Sequence, residues 1–328
     1  MTFELNAPAG DLGSLKAAVD NGADSVYFGF KSVSNLRNYP GLNLTDEQVI
    51  EGIDYLHQHG VRAYVTVNIF PYKQQQQDCL LAIDKAREFG ADAVILADIG
   101  LMDYAKKEHP SLNIYASVLA KTYNSEAAKF YKELGASRIV LPCLLNLDEA
   151  AQIKETGIEV ELFAGGRVIG INREGCLLNS YLAGWPISTK GACAPVEYLE
   201  QDEDLIKLKG ITIGRVTGDE PTPYPAICMG EYRNLTTNST YRVLRDGASL
   251  SVLDILPELA RIGVDALKIE GRQRSKIYVG KMVSVFRQAI DSFERDPERY
   301  RIKESWRKEL LSLSEGGRVV NGYVNKGY

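Results

Sequence analysis

No stretch of this 328-residue chain approaches the roughly 18 consecutive apolar residues needed to cross a bilayer, so no membrane span is expected. Histidine is scarce. The three copies, His57, His59 and His109, all stand at expected helix ends. A Ser-His-Asp or Cys-His hydrolase needs a histidine beside its nucleophile, and the His-Glu-x-x-His pattern of helical metalloproteases is absent, which disfavours standard protease chemistry. Positive charge is not in excess either: 38 Lys and Arg against 43 Asp and Glu leave a formal net charge of −5. That balance gives no support to nonspecific binding of phosphate backbones, and no DNA partner is expected. The opening Met1-Thr2-Phe3-Glu4-Leu5 lacks a basic segment followed by an apolar one, so the expected address is the cytoplasm. Cysteine is sparse as well, with five copies and no tight Cys-x-x-Cys pair of the kind that marks zinc or ferredoxin sites.

Against these absences stands one phrase repeated six times: an apolar helix end, a glycine, then a strand rich in Val and Ile. Gly22 precedes Ser25-Val26-Tyr27-Phe28, Gly60 precedes Ala63-Tyr64-Val65, and Gly90 precedes Ala93-Val94-Ile95-Leu96. Gly135, Gly157 and Gly263 repeat the pattern. Glycine accepts the left-handed conformation that ends a helix, so each copy marks a helix feeding the next strand. Strands are expected near residues 3–8, 25–30, 62–69, 92–98, 113–119, 137–142, 159–165 and 266–270, with amphipathic helices between them. Eight such units close into a (β/α)8 TIM-like barrel. The expected organisation is a barrel of residues 1–166 and 249–293, an insertion of residues 167–248 between strands seven and eight on the C-terminal face, and a C-terminal helix and tail of residues 294–328 packing on the barrel. The insertion shows no clear strand–helix unit, and a helix is expected to begin near Ser249. Active sites of such barrels sit on the C-terminal face, so the insertion is where function concentrates.

Cys176, Cys193 and Cys228 all fall inside that insertion. Three thiols in one irregular segment of a reducing compartment suit a soft metal or an iron–sulfur cluster, the alternative being three buried free thiols. Cys143 follows the sixth strand and would share the face with the insertion, making it a candidate fourth ligand. Cys79, among Leu80, Ala82 and Ile83, reads as helix packing.

Several motifs together carry a family resemblance: Ala7-Pro8-Ala9-Gly10, Asn35-Leu36-Arg37 with Gly41-Leu42-Asn43, Ile95-Leu96-Ala97-Asp98, Gly191-Ala192-Cys193, Ser314-Glu315-Gly316, and above all Lys268-Ile269-Glu270-Gly271-Arg272-Gln273-Arg274-Ser275. Through them the chain resembles, nearly end to end, the collagenase-like peptidase family U-32, and within it the ubiquinone-biosynthesis type. Despite the peptidase label, the resemblance implies oxygen-independent hydroxylation, a four-iron, four-sulfur (4Fe-4S) cluster on four cysteines, prephenate as oxygen donor, and a heterodimer with a paralogous partner acting on a small aromatic or quinone-like ubiquinone precursor. Three of the implied ligand positions match Cys176, Cys193 and Cys228, while the first falls on Ile169, whose aliphatic side chain cannot bind iron. Ala7 and Leu119 also depart from the cysteine and glutamine common in relatives. Alternative readings are a non-catalytic partner subunit with a degenerate cluster site, an RNA-hydroxylating relative, and a U-32-type peptidase.

In a barrel, Asn35, Arg37, Asn43, Asn68, Asp98, Glu270 and Arg272 meet at one mouth. Arg37 and Arg272 have the planar, multiply donating form that a dianion such as prephenate needs. Glu270 is the expected acid or base, with Arg272 beside it; the competing reading makes this pair a structural ion bridge.

Overall fold

The computed structural model describes residues 3–36, 38, 41–167, 199–203, 205–208, 211–215, 231–242, 248–314 and 317–323. Eight parallel strands form a closed barrel: β1 (Glu4–Pro8), β2 (Ser25–Phe28), β3 (Arg62–Val67), β4 (Ala93–Leu96), β5 (Asn113–Ala116), β6 (Ala136–Leu141), β7 (Glu159–Arg167) and β14 (Ala266–Ile269). Each pairs with its successor, and β14 bonds both β7 and β1, so no barrel edge is left open. All eight strands lie where the sequence places them.

The crossovers are α1 (Leu12–Asp20), α2 (Asp46–Gln58), α3 (Lys73–Glu88), α4 (Ile99–Glu108), α5 (Ser125–Glu133), α6 (Leu147–Lys154) and α7 (Leu256–Ile262). Their starts are written locally. Asp11, Thr45, Asn124 and Asn146 each accept a backbone N–H at a helix N-cap, and Thr45 and Asn146 complete capping boxes with Gln48 and Glu149. Their ends are written by the six repeated glycines, all of which have φ between +70° and +99°. The outward strand faces pack on α1–α7 and on the long α8 (Lys276–Arg295), forming one continuous apolar layer. Buried Cys79 packs there as expected, and desolvation pushes its thiol up to about 12.

Three features depart from the sequence reading. The insertion holds a five-stranded antiparallel sheet, β8 (Leu199–Asp202), β9 (Leu205–Leu208), β10 (Ile211–Arg215), β11 (Glu231–Arg233) and β12 (Thr240–Arg242), whose strands of three to five residues are too short for their periodicity to announce itself. No helix begins at Ser249. β13 (Ser249–Ser251) runs antiparallel to the end of β7, and α7 starts only at Leu256, with Pro257 in its first turn. Lastly, beyond the expected C-terminal helix, α9 (Glu304–Ser312), with Trp306 and Leu310 buried, the tail forms a strand, β15 (Val319–Val320), which pairs in parallel with β13. The tail is thereby tied to the C-terminal face of the barrel. No helix among the described residues is long and apolar enough to cross a membrane.

Candidate functional site

At the mouth, the loops after β1, β2, β3 and β14 are gathered around one buried guanidinium. Arg272, 3% exposed, donates from Nη1 to Thr66 Oγ1 (3.1 Å) and from Nη2 to Asn35 Oδ1 (3.3 Å) and to Asn43 Oδ1. Asn35 is fixed from its other end by Nδ2 donating to the Phe30 carbonyl at 2.7 Å. Asn43 adopts φ +72°, rare for a side-chain-bearing residue, while its N–H donates to Gly10 O at 2.8 Å. Asn68 holds the same segment from β3's side, its Oδ1 accepting the Leu36 N–H at 2.9 Å. The structure therefore brings Asn35, Asn43, Asn68 and Arg272 together. The planar fork of Arg272 fastens the loop between β2 and α2 onto the mouth of the barrel.

Glu270 ends β14 on the inner wall and is 9% exposed. Its Oε2 lies 3.3 Å from the Tyr27 hydroxyl, which also donates to Ile269 O at 2.8 Å. Backbone packing here is tight: a Cβ on Gly166 would lie 2.1 Å from Glu270 O, and one on Gly10 would lie 2.1 Å from Arg272 O. Asp98 stands at the start of α4. Its carboxylate accepts the N–H groups of Gly100 (2.8 Å) and Leu101 (3.0 Å) and caps α4. Cys143 lies two residues after the end of β6, buried beside Gly322 and Tyr323 of the tail. Burial and the neighbouring Cys143 thiol raise the Tyr323 hydroxyl well above its usual titration range. Arg37, Ile169, Cys176, Cys193 and Cys228 lie outside the described residues. Among the described residues, no group of three or more His, Cys, Asp or Glu is placed to hold a metal. The guanidinium of Arg274 stacks on the Tyr278 ring at 4.0 Å.

Beneath the mouth the lumen contains a charge network that the sequence reading missed. Arg138, 2% exposed, donates to Glu4 (2.6 Å), Glu159 (2.9 Å) and Glu161 (3.4 Å). Glu161 also receives Lys268 Nζ and Asn6 Nδ2, each at 2.8 Å. Burial alone would raise the Glu4 carboxyl, but hydrogen bonds from Arg138, Ser25 and Tyr64 and the Arg138 charge bring it down to about 2. Desolvation dominates at Lys268 and lowers it from the ordinary lysine value, against the pull of Glu161. Its ammonium sits 3.7 Å from the Tyr27 ring centroid, and Tyr27 in turn touches Glu270. The other half of the lumen, with Tyr64, Ala93, Ile95 and Tyr115, is aromatic and aliphatic. A signal did exist: Glu4, Asn6, Arg138, Glu161 and Lys268 occupy inward positions on parallel strands, which are ordinarily apolar on both faces.

Comparison with known proteins agrees with this architecture. The family described as peptidase family U32 matches residues 10–327. The tRNA hydroxylation protein P1 of Bacillus subtilis is 30% identical over 311 residues, covering 94% of this chain and 67% of that protein. The tRNA hydroxylation protein P of Helicobacter pylori is 31% identical over 328 residues, with 98% and 71% coverage. That of Escherichia coli is 30% identical over 313 residues, with 88% and 68% coverage. With the match running through the barrel, the insertion and the tail, this chain belongs to peptidase family U32.

Proposed function

We propose that this chain is an iron–sulfur protein of an oxygen-independent hydroxylation system, acting on a small aromatic ring of the ubiquinone-precursor type with prephenate as oxygen donor and a paralogous chain as partner. One observation carries the reading: a buried carboxylate, Glu270, stands at a strand tip beside the Arg272 hub in a chain whose relatives are named for hydroxylation. The formal charge of −5 favours a small ring over a polyanion.

Glu270 is the proton-handling group. Its Oε2 lies 3.3 Å from the Tyr27 hydroxyl, which holds the carboxylate in place, so a ring proton displaced during hydroxylation has an acceptor. Arg272, Asn35 and Asn43 hold the loop that carries Arg37, the cation proposed for a carboxylate of the donor. Soft thiolate donors fit a cluster, and Cys176, Cys193 and Cys228 would hold it, with Cys143 the candidate fourth ligand at the mouth. When bound, such a cluster supplies one-electron chemistry and an iron site that polarises oxygen ligands. A histidine-dependent peptidase reading is disfavoured: His57 and His109 pair with Asp92 (2.9 Å) and Asp84 (2.7 Å) around helix ends.

The relatives' names favour a second reading, hydroxylation of a tRNA base. Anaerobic incubation of purified protein with tRNA, or with a phenolic quinone precursor plus prephenate, separates the two. An added oxygen on the phenol alone supports the proposal, an added oxygen on tRNA alone supports the second reading, and product with neither overturns both.

A further inference from the structure

The last described stretch of the chain is built into the mouth. β15 pairs with β13, with Ser249 opposite Val319 and Leu250 opposite Val320. Gly322 follows so closely that an added Cβ would stand 3.0 Å from Leu250 Cδ1 and 3.9 Å from Cys143 Cβ. Tyr323 comes next and is 0% exposed. Its hydroxyl faces the Cys143 side chain and the Phe163 backbone, yet makes no aligned hydrogen bond. A buried phenol hydroxyl without an aligned partner is costly, and a whole aromatic side chain is spent on covering one corner of the site. Cys143, 6% exposed, is the residue beneath it.

We propose that residues 319–323 form a strap that shields Cys143, with Tyr323 as the cover, and that release of the strap makes this thiol available to a soft metal or an electrophile. The pairing supports reversibility. A two-residue strand on the outside of a short β13 offers few backbone bonds, whereas the barrel beneath is closed, so the strap opens at far lower cost than the fold. The inference does not depend on hydroxylation: it concerns access to one thiol on the C-terminal face.

The test is native-state alkylation of the full chain by iodoacetamide under anaerobic reducing conditions, followed by peptide mass spectrometry. Cys79, 0% exposed in the helix layer, reports loss of the whole fold. Tyr323→Ala should raise the Cys143 labelling rate about tenfold or more while Cys79 stays unlabelled. Tyr323→Phe, which keeps the ring over the thiol, should stay within about twofold of the parent, since access and not the hydroxyl sets the rate. Unchanged labelling of Cys143 in Tyr323→Ala overturns the proposal. So does a parallel rise at Cys79 and Cys143, because the tail would then be supporting the entire barrel.

Discussion

Replacing Arg272 by methionine puts the mouth's architecture to a quantitative test. The side chain keeps much of its apolar volume but loses every donor, and three oxygens lose a partner: Thr66 Oγ1, Asn35 Oδ1 and Asn43 Oδ1. Thr66 Oγ1 retains its bond to Phe28 O at 3.0 Å, so the full desolvation cost does not fall on it; the Asn35 bond to Phe30 O belongs to Nδ2 and gives Oδ1 no relief. At roughly 1–3 kcal/mol for a buried group left unsatisfied, with partial relief at one of the three, the loss comes to about 3–5 kcal/mol. For a chain of this size that corresponds to a fall in Tm of roughly 4–7 °C, read by circular dichroism. Hydrogen exchange should localise the change: residues 30–44 lose protection while β5 and β6 do not. Arg272→Lys should recover little, because one ammonium cannot serve oxygens spread across a planar fork. A Tm within about 2 °C of the parent, with unchanged exchange in residues 30–44, would show that Arg272 does not organise the mouth.

Other expectations follow from the same geometry. Glu4, held at about 2 in the fold against 4.5 unperturbed, contributes stability that is complete above the unfolded value and is lost as pH falls from about 4.5 toward 2. The contribution is about 3 kcal/mol, and Glu4→Gln should flatten Tm against pH in that window. Gly166→Ala puts a Cβ 2.1 Å from Glu270 O at φ +104°, so it should cost upwards of about 3 kcal/mol and displace the Glu270 backbone, measured by denaturant unfolding. Glu270→Gln preserves shape and the contact with Tyr27, so Tm should hold within about 2 °C while anaerobic hydroxylation falls by roughly a hundredfold or more. Equal turnover in that variant would remove Glu270 from the chemistry.

The barrel was legible because its signals are local. Glycines such as Gly22 and Gly90 stop helices, and caps such as Asp11 and Thr45 start them, without reference to the rest of the fold. Strand positions followed from those stops. The convergence of Asn35, Asn43 and Arg272 was legible too, since strand ends of a barrel share one face. Their mutual bonding was not, because it depends on the left-handed turn at Asn43 and on a guanidinium folded inward from β14's end. Asp98, expected at the site, caps α4, and caps and sites favour the same side chain at the same strand tip. The lumenal charges were overlooked since Arg138 and Glu161 are separated by 23 positions and meet only through the barrel's register. Strand β15 and the cover over Cys143 rest on two paired residues, too few for any periodicity to register.

The central claim is that thiols of the insertion bring iron to a mouth organised by Arg272 and Glu270. Iron and acid-labile sulfide, measured per chain on protein purified without oxygen and again after reconstitution, address it directly. The account predicts a coloured protein with matched iron and sulfide that loses both in Cys176→Ala, Cys193→Ala and Cys228→Ala while keeping its fold. A colourless, iron-free chain after reconstitution, or cysteine variants with undiminished iron, would contradict it.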